Sequence, residues 1–203
     1  MALLTGIIYW SHLKDSKLFW LPFFLAFILF VELSGSFLPY YLNLDNAILY
    51  NCSIPLEYLF YSYLFYVHGS LHLKKSVVLG SKLFCIVALF YFVKIPVTIF
   101  HYLVLMIGQV LILIYCCLYI YERFIELEGA PLIKNYFFWI VAGLLLFNLG
   151  DFSYSLVFPL IRDKNWDDLG LLFKSINNSF LFLLYLSYII AIIICKKYPH
   201  YNA

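Results

Sequence analysis

Apolar residues run along this chain in long blocks, separated by short clusters of Lys, Asp, Asn, Gly and Pro. A hydrocarbon core about 30 Å thick is crossed by about 20 apolar residues in a helix. Six blocks fit that requirement: residues 18–37, 46–67, 76–93, 97–121, 136–157 and 176–195. A seventh block, residues 1–10, is apolar but short. It lacks the basic leader and small-residue cleavage site of a signal peptide, and it reads better as a short first span than as a helix lying at the interface. The expected fold is all-α: a polytopic transmembrane helix bundle of six spans plus a short N-terminal seventh. No connection is long enough to fold by itself, so residues 1–203 form a single transmembrane domain.

Composition agrees. Of the 203 residues, 65% are hydrophobic and 12% charged, half the charged share of an ordinary soluble domain, which is about 25%. Lipid must therefore be the solvent for most of the surface. The net charge of +2 is small and scattered, which argues against direct nucleic-acid binding through a basic face. The 22% of aromatic residues fits a compositional bias better than an aromatic ligand cage. The cysteines Cys52, Cys85, Cys116, Cys117 and Cys195 form no CxxC pair, and the adjacent two point to different sides of a helix. Buried, inert thiols are expected rather than disulfides or a metal site.

Lys and Arg in the connections set the orientation. Counting seven spans, one side carries Lys14, Lys17, Lys74, Lys75, Arg123, Lys134, Lys196 and Lys197, and the other Lys94, Arg162, Lys164 and Lys174. Eight against four puts the C-terminus in the cytoplasm of a bacterial inner membrane. The connection LPYYLNLDN, without a positive charge and with two tyrosines, suits an outer interfacial belt. The longest outer connection, 158–175, gathers charges around Trp166 and reads as a small amphipathic cap. On the cytoplasmic side, YERFIELEGAPLIKNY holds Glu122, Glu126 and Glu128 beside Arg123. The HLKKS loop, with Lys74 and Lys75, and the KKYPHYNA tail, with Lys196 and Lys197, are the basic surfaces offered to a cytoplasmic protein partner.

Polar residues inside the spans carry the functional question. A carboxylate near the bilayer centre costs at least about 2.5–3.5 kcal/mol, so such groups are functional candidates by default. From about 1.5 Å of rise per residue, Glu32, Asn51, Glu57, Asn148 and Asp151 fall between the membrane centre and its outer face. Gln109 sits near the middle of its span, and Asn177 and Asn178 begin the last one on the outer side. If those helix faces meet, the five form an outer-half polar cluster. The competing reading is a set of interhelical hydrogen bonds worth about 0.6 kcal/mol each, which suits Asn148 and Gln109 well and the carboxylates less well. Glu57 follows Pro55, which loosens a helix, and shares a face with Tyr50 and Tyr61, so a tyrosine hydroxyl is placed to bond its carboxyl. Lys82, toward the cytoplasmic side, reads as a snorkelling lysine.

Complete catalytic motifs are missing. His68 and His72 have an i, i+4 metal-clip spacing, but Gly69 and Ser70 between them end the helix, and no third ligand is near. His101 reads as interfacial. LGDF around Asp151 is only part of an intramembrane aspartyl protease signature, and HExxH and GxSxG are not found. The two halves show no convincing internal repeat, which weakens a transporter built from repeats. No metal or cofactor is implied.

The segments IIYW, FVELSG, LYNCSIPLEYLFYSYLF, FFWIVAGLLLFNLGDF and INNSFLFLLYLSYII resemble a family of small, about seven-span inner-membrane proteins of Bacteroidetes. The resemblance covers most of the chain, and its motifs are loose. It implies an inner-membrane protein encoded near signalling genes such as histidine kinases. Similar small multi-span proteins also serve as accessories in type VI-B CRISPR loci, beside a cytoplasmic RNA-guided nuclease. A non-enzymatic sensor or regulatory accessory acting on such a partner is thus the leading expectation, and homo-oligomerisation stays open. A proton-coupled transporter or channel using Glu57 and Asp151 comes second. An intramembrane lipid hydrolase using the same two carboxyls as acid and base comes third.

Overall fold

The computed structural model describes residues 1–42, 45–126, 131–163 and 171–198. Among these residues every regular element is helical: α1 (Ala2–Ile8), α2 (Trp10–Leu13), α3 (Leu21–Leu42), α4 (Ala47–His68), α5 (Leu71–Lys94), α6 (Tyr102–Glu126), α7 (Tyr136–Asp163) and α8 (Leu171–Lys197), with a 3-10 turn at Leu132–Lys134. Five helices, α3, α5, α6, α7 and α8, are long and apolar enough to cross a membrane. Helix α4 has 22 residues, about 33 Å of rise. Asn51, Ser53, Glu57, Ser62 and its tyrosines keep it out of that group. Helix α1 has seven residues, about 10 Å, or a third of a hydrocarbon core.

Several boundaries differ from those the apolar blocks suggest, each for a local reason. Helix α5 starts five residues before the block at 76, because the Ser70 side chain accepts from the backbone N–H groups of His72 and Leu73 and caps the helix there. His68 and His72 accordingly fall on either side of the α4–α5 break. Helix α6 starts only at Tyr102: Pro96 cannot continue a helix, and Ile95 is extended. Helix α7 runs on to Asp163, past residue 158 where the sequence pattern predicts an outer loop. Residues 164–170 of the expected cap, with Glu128 of the acidic loop and residues 199–203 of the tail, lie outside the described residues.

The chain divides into two compact units, Lys17–Leu111, and Met1–Ser16 with Ile112–Ala203. In the first, α3 and α4 pack antiparallel. Phe24 stacks on Phe60 with centroids 3.9 Å apart and meets Tyr61 edge-on at 5.4 Å. Toward the other end of the pair, Tyr50 lies against Gly35, where an added Cβ would come 2.6 Å from the tyrosine hydroxyl. Tyr58 rests edge-on against Phe84 of α5 at 5.8 Å and fills the place a side chain at Gly108 of α6 would take.

In the second unit α7 and α8 form the main contact. Gly143 faces Ser187 and Gly150 faces Phe180. The two contacts are seven residues apart on each helix, which fixes the antiparallel register. Small residues let helices approach where lipid supplies no hydrophobic drive for association. Tyr119 of α6 meets Phe137 of α7 edge-on at 5.0 Å, and the Cys116 thiol donates to the Val141 carbonyl at 3.7 Å. Helix α1 packs on α8 with Ala2 and Gly6 buried, and the Lys196 ammonium lies 4.6 Å from the Tyr9 ring centroid.

The cysteines only partly match the expectation of burial. Cys116 and Cys195 are buried, but Cys52 and Cys117 are exposed. A thiol is a weak donor and a small hydrophobe, so a face turned to hydrocarbon accepts it as readily as a core does.

Candidate functional site

Asn51 is held by three hydrogen bonds from its side chain. It is 3% exposed. Its Nδ2 donates to the Val97 and Ile99 carbonyls, each at 2.8 Å, and its Oδ1 accepts from the His101 backbone N–H at 2.8 Å. Residues 95–101 are not helical, so their carbonyls need partners from elsewhere. One amide supplies three bonds and ties the α5–α6 connection to α4. His101 is 4% exposed, with the Tyr91 and Phe92 ring centroids 5.8 and 5.5 Å away. Its backbone is drawn in by Asn51, which the position of His101 at a helix end did not reveal.

Glu57 is half-buried and accepts a hydrogen bond from the Tyr61 hydroxyl at 2.8 Å, on the helix face shared with Tyr50. Glu32 is exposed on α3, about one turn before Gly35 and within electrostatic reach of Tyr50. Within this unit, Glu32 thus lies on an exposed helix face near Tyr50, Asn51 holds the α5–α6 connection and Glu57 accepts from a tyrosine.

Asn148 and Asp151 belong to the other unit. Asn148 is fully buried. Its Nδ2 donates to the Leu144 carbonyl of its own helix at 2.8 Å, while its Oδ1 is buried without a hydrogen-bond partner. Leaving an acceptor so costs about 1–3 kcal/mol. Asp151, about one turn further on, is half-buried. Gln109 of α6 is fully buried in the first unit. Among the described residues no three of His, Cys, Asp and Glu are grouped to hold a metal ion.

Of the basic residues, Lys75, Lys196 and Lys197 are exposed, and Lys74 is half-buried. Lys74 and Lys197 lie over the Tyr66 and Tyr198 rings, 5.7 and 5.4 Å from the centroids. Two open grooves flank α4. One, of about 430 Å³, runs between α3 and α4 and is walled by aromatics including Trp20, Phe24, Phe27 and Phe60. The other, of about 620 Å³, runs between α4 and α5 past Tyr63, Tyr66, Ser81 and Lys82. Neither is legible in the sequence, since each needs two helices in a known register. Comparison with protein-family models, with curated proteins and with solved structures finds no match for the chain.

Proposed function

We propose that this chain is a multi-pass protein of the bacterial inner membrane that acts as a non-enzymatic regulatory or sensory accessory on a cytoplasmic partner. In this reading α4 crosses together with the five apolar helices. Its polar side chains are turned to bonds within the protein, as Asn51 and Glu57 illustrate, so its lower hydropathy does not bar it from lipid. Residues 1–10 supply the short N-terminal seventh apolar segment, and the C-terminus lies in the cytoplasm by its Lys content.

The observation that carries the reading is the Asn51 clamp. A three-bond lock from a buried amide to a helix connection is what a structural scaffold requires, and it leaves the exposed basic ends of α5 and α8 as the parts open to a partner. Lys75, Lys196 and Lys197, with Lys74 at the head of α5, are the proposed contacts. By the resemblance described above, the partner is a signalling kinase or a type VI-B nuclease.

The test is co-expression of the full chain with such a kinase or nuclease, reading autophosphorylation or target interference. Replacing Lys196 and Lys197 by Gln should leave membrane insertion intact and abolish the effect of the wild-type chain. Wild-type protein that changes neither activity sinks the proposal.

A second reading, a proton-coupled transporter, draws on one observation: the orphaned Oδ1 of Asn148, about a turn before Asp151. It predicts proton flux in proteoliposomes that falls in Asp151→Asn and Glu57→Gln. Flux equal to that of empty vesicles rejects it.

A further inference from the structure

The groove between α4 and α5 differs from the one between α3 and α4 in having charge. Its walls are apolar along Leu59, Val78 and Ile86, hydroxyl-bearing at Tyr63, Tyr66 and Ser81, and cationic at Lys82, with no carboxylate in its lining. The volume of about 620 Å³ lies within the range of small-ligand clefts, about 300–1,000 Å³. Val78 and Ile86 are exposed about two helical turns apart, so they mark an apolar track along the axis of α5.

The lysines give this track a polar head. Lys82 lies seven residues beyond Lys75, about 10 Å deeper along α5. Side chains on a helix lean toward its N-terminus, and the N-terminus of α5 is the end that carries Lys74 and Lys75. A lysine at this depth snorkels its charge toward the nearer polar boundary, which is that end of the groove. Lys74 is there too, its ammonium 5.7 Å from the ring of Tyr66, which also lines the groove. A cation over a tyrosine at one end of an apolar track, with a second lysine mid-track able to extend toward them, matches a phosphodiester headgroup with an acyl chain below it. Basic pockets between membrane helices hold anionic headgroups by this chemistry.

We infer that the α4–α5 groove binds one anionic phospholipid, with its headgroup phosphate on Lys82 and Lys74 and an acyl chain along Val78 and Ile86. The inference rests on the chain spanning a membrane and not on the proposed regulatory partner. By the proposed orientation, the lipid belongs to the cytoplasmic leaflet.

Native mass spectrometry of the purified full chain tests it without any partner present. Palmitoyl-oleoyl phosphatidylglycerol and phosphatidylcholine are added in equal amounts, and the bound fraction of each is read as detergent exchange proceeds. With two lysines near the headgroup worth about 1 kcal/mol each, phosphatidylglycerol is retained about 30-fold over phosphatidylcholine. Lys82→Gln lowers that preference about fivefold. Val78→Trp fills the track and lowers retention of both lipids. Lys94→Gln, at the opposite end of α5, changes neither. Equal retention of the two lipids by the wild type overturns the inference. So does a loss of preference that Lys94→Gln reproduces, or retention that survives Val78→Trp.

Discussion

Replacing Asn51 by Leu tests whether a buried amide is a lock or a site. The substitution keeps size and removes three hydrogen bonds of 2.8 Å, two to carbonyls of residues 97 and 99 and one from the N–H of residue 101. At about 0.6 kcal/mol each, the average within membranes, the loss is about 2 kcal/mol. At about 1 kcal/mol each, the average for folded proteins, it is about 3 kcal/mol. The expected destabilisation of about 2–3 kcal/mol is about a 30- to 150-fold change in the folding equilibrium. Asn51→Asp retains the acceptor for His101 but loses both donors and sets a carboxyl against two carbonyls, so it should be at least as damaging. Equilibrium unfolding in mixed micelles gives the magnitude. Amide hydrogen exchange gives the location: the His101 N–H should lose protection while amides of α7 and α8 keep theirs. An Asn51→Leu variant within about 0.5 kcal/mol of wild type, an ordinary surface-substitution effect, would refute the reasoning, as would unchanged protection at His101.

Other contacts yield further outcomes. Gly143→Ala drives a methyl group into Ser187 and should cost about 1–3 kcal/mol as overpacking, seen as a lower melting temperature in detergent, with partial recovery in the double variant carrying Ser187→Gly. Gly108→Ala should cost a similar amount through Tyr58, and less in a Tyr58→Leu background, where the ring it meets is gone. Tyr61→Phe removes one hydrogen bond to a half-buried carboxyl; a double-mutant cycle with Glu57→Leu, which leaves no acceptor, should return a coupling of about 0.6 kcal/mol, and a coupling indistinguishable from zero rejects the bond as a stabilising contact. Asn148→Leu removes an amide whose Oδ1 has no hydrogen-bond partner, so its unfolding free energy should fall by less than that of Asn51→Leu in the same titration.

Much of the helical plan can be read from the chain, because lipid demands long apolar blocks and helices satisfy their own backbone there. The Tyr61–Glu57 bond was also legible, since i, i+4 spacing on one helix needs no tertiary information. What escaped reading depends on register between helices. Gly143 and Ser187 look like two small residues in two blocks until the antiparallel register of α7 and α8 brings them together, and the α4–α5 groove exists only once Tyr66 and Lys74 share an end. Asn51 lies between these cases. Hydropathy extends the apolar block backward over Val97 and Ile99, yet Pro96 interrupts the helix ahead of them, and their carbonyls find donors outside their own segment. A buried amide 46 and 48 residues earlier provides them. The usable signal is thus a mismatch, an apolar segment broken by proline and a lone amide in a neighbouring span. An intramembrane polar residue near such a segment is better tested first as its hydrogen-bond donor, and as a ligand site only if the donor role fails.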